Sequence, residues 1–315
     1  MPRITTIDTE YIGLPQMTAA YLLVDGTEAA FVETNTTHAV PRLLASLADC
    51  NLTPQDVKFV VITHVHLDHA GGASALMKAC PHATLLAHPR AAVHAIDPTK
   101  LVSSARQVYG DEAFDEMYGT IEGIDKRRVR ALADNETFTL GNSTLSVIHT
   151  RGHANHHFCV LDPTSEGIFT GDAFGLVYPA LQAGGRWALP STSPTDFDAE
   201  AAKDSVRRIV GSGMRTAYLT HYGGFSDLVV IGEQLVEQLD DYGAIVEDAM
   251  TSGVDGDAPK QMCRQRVAAI FDRYLTTPER KQAVKPDGLL AMDLDLNAQG
   301  VAFAVRKRRF KAAKG

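Results

Sequence analysis

The chain has 315 residues, of which 45% are hydrophobic and 22% charged, and it carries a net charge of −8. That balance describes a globular protein of one large domain or two ordinary ones, too apolar and too mixed in charge for a disordered chain. No apolar run reaches the ~20 residues that a membrane span needs, and an acidic body disfavours nucleic acid and anionic membrane as partners.

The charge is unevenly placed. Arg306 to Gly315 holds six bases and no acid, so the net −8 resolves into +6 there and −14 over residues 1–305. Such an end is expected to be a solvated, partly frayed terminus. The start, Met1-Pro2-Arg3-Ile4-Thr5-Thr6, lacks the basic-then-apolar pattern of a secretory leader. Cys50, Cys80, Cys159 and Cys263 stand far apart with no disulfide-framework spacing, which fits a reducing cytoplasm.

The first third reads as β-rich. Ile4 to Glu10 begins it, and Thr18 to Val24 runs through the turn pair Asp25-Gly26 into Ala29-Ala30-Phe31-Val32. A helix is predicted at Thr37–Ala48, with Val40, Leu43, Leu44 and Leu47 at helical spacing. Asp56 to Thr63 is the nearly all-apolar run of a strand covered on both faces. Gly71-Gly72 opens a helix through Ala79, and Thr84 to Ala87 reads as another strand.

Residues 88–135 are polar and helix-prone, dotted with Tyr109, Phe114, Met117 and Tyr118, and read as a helical excursion from the sheet. Strands resume at Thr137–Leu140, Thr144–His149, His157–Leu161 and Gly167–Thr170. A Gly- and Pro-rich loop runs from Ala173 to Pro194. Thr195-Asp196-Phe197-Asp198 resembles a capping box opening a helix that ends near Gly211. A strand at Thr216–Thr220 precedes a long amphipathic helix marked by Leu228, Ile231, Leu235, Leu239, Tyr242 and Ile245. Thr251 to Pro259 reads as a linker, Gln261–Leu275 as a helix, and residues 289–305 as two short extended runs. The expected division is a main domain at 1–250 and a C-terminal helical and extended appendage at 251–315.

Of the twelve histidines, three sit together in Thr63-His64-Val65-His66-Leu67-Asp68-His69-Ala70-Gly71-Gly72, directly after the buried strand. Side chains two apart in an extended stretch point the same way, so His64 and His66 can grip one ion. As the chain turns into a helix, Asp68 and His69 can swing toward a second position, and the glycines let backbone crowd against the site. Further candidates stand at strand-to-loop boundaries: His153 after Leu145–His149, Asp172 after Ile168-Phe169-Thr170, and His221 after Ala217–Thr220.

In this order, His-x-His-x-Asp-His, Gly-His, Gly-Asp and His-x-Gly, the motifs resemble those of the metallo-β-lactamase-fold hydrolases over roughly residues 18–223. Around Gly152-His153-Ala154-Asn155-His156-His157 and Thr220-His221-Tyr222-Gly223 the chain is most similar to the glyoxalase II-like and lactonase-like branch. The resemblance implies an α/β fold, an αββα sandwich, with the helical excursion and C-terminal extension added. It places His64, His66 and His153 on one metal ion and Asp68, His69 and His221 on a second, with Asp172 bridging both. The function it implies is hydrolysis of an ester-like bond, a lactone or a thioester, in a small molecule by a metal-bridging hydroxide, with Asp68 or the Asp172 bridge returning the proton. Imidazole and carboxylate suit Zn²⁺, Fe²⁺ and Mn²⁺ alike; two divalent ions are expected, Zn²⁺ foremost, with Fe²⁺ or Mn²⁺ as alternatives. A phosphodiesterase, or a sulfur dioxygenase-like oxidoreductase with one iron on the same scaffold, is the alternative.

The chain departs from the family pattern in places. Many members have Asp-Thr-Gly where Glu33-Thr34-Asn35 stands, so the carboxylate they place behind their ligands does not carry over. Signal lactonases have a tyrosine three residues after the bridging aspartate, where this chain has Gly175; Tyr178 or Tyr222 are the available substitutes. The all-His/Asp set disfavours the penicillin-destroying members that use a cysteine ligand. His156 or His157 could orient His153, and Phe174, Tyr178 and Trp187 either wall a substrate pocket or pack on the sheet. His88 reads as a helix-start residue and His149 as structural, while His38, His82 and His94 read as surface residues. The aromatic excursion is compatible with a homodimer.

Overall fold

The computed structural model describes residues 3–192, 194, 196–251 and 258–314. They form two compact units. Of these residues, the first comprises 3–149, 156–171 and 213–226, and the second 150–155, 172–192, 194, 196–212, 227–251 and 258–314.

The first unit holds two six-stranded sheets. One consists of β1 (Arg3–Asp8), β2 (Ala19–Asp25), β3 (Glu28–Val32), β4 (Val57–Val61), β5 (Thr84–Ala87) and β6 (Val129–Ala131), side by side in chain order. β1, β2 and β3 pair antiparallel, β2 and β3 through the predicted hairpin, whereas β3 to β6 run parallel. The helices between the parallel strands are α1 (Val40–Ala48), α2 (Leu67–Ala70), α3 (Ala73–Ala79), α4 (Pro89–Ile96), α5 (Thr99–Tyr109) and α6 (Asp111–Tyr118). The second sheet consists of β7 (Thr137–Leu140), β8 (Ser143–His149), β9 (Phe158–Asp162), β10 (Gly167–Gly171), β11 (Thr216–Leu219) and β12 (Gly223–Phe225). It is antiparallel except where β10 meets β11.

Alternation along the strands makes two cores. Tyr21, Leu23, Val32, Phe59 and Val61 of the first sheet share one with Phe138, Leu145, Phe158 and Phe169 of the second. The opposite face of the first sheet, with Leu22, Phe31 and Val60, packs on Leu43 and Leu47 of α1 and Leu76 and Met77 of α3. β4 is therefore buried on both faces, as its apolar run predicts. The helical excursion at 88–135 is present as α4 to α6.

The second unit is helical: α7 (Ala199–Val210), α8 (Leu228–Thr251), α9 (Ala258–Tyr274), α10 (Pro278–Ala283) and α11 (Ala291–Ala312). The six apolar positions predicted for α8 are all buried. α7 is capped by Asp198, whose side chain accepts from Ala201 N at 3.2 Å. Thr195, the first residue of the expected capping box, and 252–257, most of the expected linker, lie outside the described residues.

Two expectations are corrected at the C-terminal end. Residues 291–312 form one 22-residue helix instead of two extended runs. Leu294, Ala298, Val301 and Val305 recur every three to four residues and are buried, and the helix packs on α8 and α9. The basic end belongs to that helix: Arg308 pairs with Glu247 and Arg309 donates to Ala249 O. Cations there also suit the negative end of the helix dipole. The division expected at 250/251 does not coincide with the two units, because α9 to α11 group with α7 and α8.

Candidate metal centre

Ligand candidates in the first unit stand where the sheets end. After β4 the chain bends at Thr63 and His64 and is extended at His66, which precedes the first turn of α2, and α2 carries Asp68 and His69. Gly72 permits that sharp return: a Cβ there would lie 2.7 Å from the carbonyl oxygens of both Thr34 and Thr36. His221 follows β11.

His64 and His69 are fully buried and His221 is nearly so, whereas the Asp68 side chain is 25% exposed. Asp68, His69 and His221 each bring a ligand atom within 4.8 Å of the others'. His221 Nε2 lies 3.3 Å and His69 Nε2 3.5 Å from Asp68 Oδ2. His64 Nε2 lies 2.9 Å from His66 Nδ1.

Hydrogen bonds decide which ring nitrogens carry lone pairs. His221 Nδ1 donates to Met17 O at 2.9 Å, since a carbonyl can only accept. Nε2 of the neutral ring is then a lone pair facing the Asp68 carboxylate. At His64 the relay is longer. Thr63 Oγ1 gives its hydrogen to Glu33 Oε1, so His64 Nδ1 must donate to Thr63 Oγ1 at 3.0 Å, leaving its Nε2 as the acceptor. Lone pairs converging on carboxylate oxygen repel one another unless a cation lies among them, so the donor set fits a divalent ion of intermediate hardness.

The second unit supplies another such pair. His153 Nδ1 donates to Ser191 O at 3.1 Å, and its Nε2 lies 3.5 Å from Asp172 Oδ2. Ser191 Oγ donates to the same carboxylate oxygen at 3.0 Å. His153 and Asp172 border a cavity of about 10 Å³ with Arg151, Ser191, Leu235 and Leu239, room for one water-sized particle.

The remaining candidates divide. His157 is buried with its ring 4.9 Å from that of His64, and His156 lies 5.6 Å from His66. Tyr222 is half-buried, its phenol pushed up by burial and by Asp8. Phe174 and Tyr178 are packed inside the second unit, Phe174 toward Gly232 of α8 and the Tyr178 hydroxyl 3.5 Å from Asp293 of α11. Trp187 is buried there too, with Arg280 over its ring. Their packing explains these three aromatics without a substrate. His88 caps α4, accepting from Arg90 N at 3.0 Å, and its ring lies tilted against that of His149 with centroids 4.2 Å apart.

Glu33 is the residue the sequence did not yield. It is buried at the end of β3, in the left-handed region at φ 67°, with Oε1 3.3 Å from both His69 Nδ1 and Thr220 Oγ1. The chain thus has a carboxylate behind its ligand candidates, one methylene longer than the family's aspartate. The available signal was an acid directly after the apolar run Ala29–Val32.

The sequence profile of the metallo-β-lactamase superfamily matches residues 13–221. The chain belongs to this superfamily. It is 28% identical over 197 residues to a metallo-β-lactamase fold-containing protein of Sulfurisphaera tokodaii, covering 62% of this chain and 70% of that one. It is 26% identical over 216 residues to an atrochrysone carboxyl ACP thioesterase of Aspergillus fumigatus, covering 65% of this chain and 51% of the thioesterase. The chain thus spans about half the length of that fungal relative. Among solved structures, a superfamily protein of Sulfolobus tokodaii matches with a TM-score of 0.63 at 21% identity, covering 95% of this chain and 97% of that one. One from Thermus thermophilus matches with a TM-score of 0.64 at 19% identity, covering 98% and 93%. At these identities the structures establish the fold, the αββα sandwich that the motifs imply. Among the described residues no helix is long and apolar enough to cross a membrane.

Proposed function

We propose that the protein is a dinuclear metal-dependent hydrolase of small-molecule acyl esters, with thioesters as the leading substrate class and lactones next. The observation that carries this reading is the grouping of Asp68, His69 and His221, whose Nε2 atoms face one carboxylate. Superfamily membership and the thioesterase relatives support the class of reaction. In this reading His64, His66 and His153 hold one ion, Asp68, His69 and His221 hold the other, and Asp172 serves both.

Bound divalent ions would lower the pKa of water toward ~7 and polarise the scissile carbonyl. The protein's own groups orient that chemistry. Met17 O, Ser191 O and the Glu33–Thr63 relay keep the Nδ1 protons of His221, His153 and His64 turned away from the centre. Ser191 fixes one oxygen of Asp172. Asp68, the partly open carboxylate, would take the proton that the attacking water gives up and pass it to the leaving sulfur or oxygen. No serine or cysteine nucleophile is required, and the cysteines, which form no disulfide, suit a reducing compartment.

Elemental analysis of the purified protein together with a panel of acyl thioesters, lactones and a phosphodiester chromogen tests the proposal. Two metal ions per chain and turnover of a thioester or lactone are expected. His64→Ala and His221→Ala should each cost more than ~100-fold in rate, beyond what losing a supporting group costs. A single iron with oxygen consumption, or turnover confined to the phosphodiester, would replace the reading with one of its alternatives.

A further inference from the structure

In the second unit, the loop that opens at Asp172 and runs past Ser191 is held by helices that lie beyond the superfamily match at residues 13–221. Gln238 of α8 donates to Ala188 O at 2.8 Å, and Arg280 of α10 donates to Leu181 O at 2.8 Å. α11 holds the end nearest the ligand candidates. Thr192 N donates to Asn297 Oδ1 at 2.9 Å, and Thr192 Oγ1 lies 2.9 Å from the same oxygen and 3.1 Å from Asn297 O. A backbone N–H can only donate, so the oxygen of the amide and not its nitrogen faces Thr192.

Thr192 and Asn297 are buried, at 3% and 2% exposure. Asp293, Asn297 and Gly300 recur at helical spacing and are all buried, a second covered stripe of α11 beside the apolar one of Leu294, Ala298, Val301 and Val305. The Tyr178 hydroxyl lies 3.5 Å from Asp293, and a Cβ on Gly300 would stand 2.5 Å from Thr192 Oγ1 and 2.9 Å from Thr192 O. Gly300 thus lets the loop sit directly on the helix. An amide is costly to bury, and its bonds to Thr192 are what offsets that cost.

Ser191 and Thr192 share one planar peptide unit, whose C=O and N–H turn together. Asn297 holds the N–H, and the C=O accepts from His153 Nδ1 at 3.1 Å. Ser191 Oγ, on the same stretch, donates to Asp172 Oδ2 at 3.0 Å. Without Asn297 the plane is free to rotate, and its carbonyl no longer keeps the Nδ1 proton of His153 in place. A peptide whose N–H is bonded also has a more strongly accepting carbonyl, which makes the His153 imidazole a better ligand.

We propose that Asn297 is a positioning residue of the metal centre, setting the His153 ring and the Asp172 carboxylate through the Ser191–Thr192 peptide. The C-terminal helix is then a working part of the centre and not an appendage to it. The role rests on the metal-dependent reading above and concerns how ions are held, whichever ester is cleaved.

Metal binding tests it without turnover. Wild type and variants are titrated with Zn²⁺ against a chelator, and with Co²⁺ for its visible d–d spectrum. Asn297→Leu fills the space of the amide and removes the acceptor, so affinity for at least one ion should fall about 10-fold, with an altered cobalt spectrum. Asn297→Asp keeps an acceptor oxygen and should bind within about threefold of wild type. Gly300→Ala displaces Thr192 and leaves Asn297 in place, and it should weaken zinc in the same direction. Val301→Ala, on the apolar stripe, should lower the denaturant midpoint with zinc affinity and cobalt spectrum unchanged. If the leucine variant does not fold, Asn297→Ala carries the same expectation. Wild-type affinity and spectrum without the acceptor, an aspartate variant as weak as the leucine one, or an equal loss in Val301→Ala would each overturn the proposal, as would a wild type that takes up no divalent ion. If the affinities behave as expected but no ester or thioester is cleaved, the hydrolase reading fails and the role of Asn297 stands. If the wild type cleaves them and Asn297→Leu binds zinc as tightly, the role of Asn297 fails alone.

Discussion

The ligand candidates of the two units are supported in different ways. In the first unit a side-chain relay runs from Glu33 through Thr63 to His64, and Glu33 also faces His69, while the His221 ring is held there by a backbone carbonyl, that of Met17. In the second unit the support is largely main chain: Ser191 O accepts from His153, and the Gly152 carbonyl just before it accepts from Asp198 N at 3.0 Å. A relay of side chains can be retuned one group at a time, with graded effects on how the imidazoles present their lone pairs. A ligand held by the path of the backbone depends on that path, and changes to it should act nearly all-or-none.

Gly152→Ala breaks the comparison most severely if it is wrong. Gly152 has φ 117°, and a Cβ there would lie 2.2 Å from the backbone nitrogen of Ala202 in α7. Neither atom is the flexible end of a side chain. The substitution should cost about 3 kcal/mol or more of stability, read from the denaturant midpoint, and lower metal content with it. A near-neutral result would mean that the second unit's support is as adjustable as the first's.

The first unit should also carry a graded response to pH. Burial, then the neighbouring His149, hold the His88 imidazole down at about 4 from an ordinary 6.5. A folded value below the unfolded one means that the unfolded chain binds the extra proton first. Stability is therefore complete above about pH 6.5 and declines as pH falls toward 4, by up to about 3 kcal/mol. His88→Asn keeps an acceptor for Arg90 N and removes the titration, so its unfolding midpoint should vary less across that window. Parallel pH curves for the two proteins would remove His88 from the account.

Glu33→Gln sharpens the comparison at the relay itself. The amide keeps the size of the side chain but loses the charge that faces His69, and half of its polar end becomes a donor. Metal affinity should fall by about 10- to 100-fold in a chelator competition, with little change in the unfolding midpoint. Unchanged affinity would show that His64 and His69 keep their orientation without the carboxylate.

How much of this could be read from the sequence follows the same division. The His64–His69 run was legible because its members are local and directly follow an apolar strand, although the chain bends at Thr63 and His64 and is not the extended stretch that a period of two assumes. His153, Asp172 and His221 were legible only as an ordered series of strand ends. Glu33 was not, because its role depends on where a left-handed residue at the end of β3 aims a longer carboxylate. Phe174 and Tyr178 look the same in sequence whether they wall a pocket or fill a core, and burial alone separates the two. The C-terminal runs misled because Val301 and Val305 favour strands individually, while their spacing and their packing against α8 and α9 favour a helix.

Asp198→Ala is expected to have the smallest effect and separates two kinds of support within one residue. The Asp198 side chain caps α7 through Ala201 N, while its own backbone N–H holds the Gly152 carbonyl next to His153. Alanine removes the cap and leaves the backbone bond, so stability should fall by ~1 kcal/mol. Metal affinity should stay within about twofold of wild type, because an outer group that no longer orients a ligand costs at least ~10-fold. If affinity instead fell in step with stability, His153 would depend on the cap and not on the chain path, and the support of His153 would have to be described as another side-chain relay.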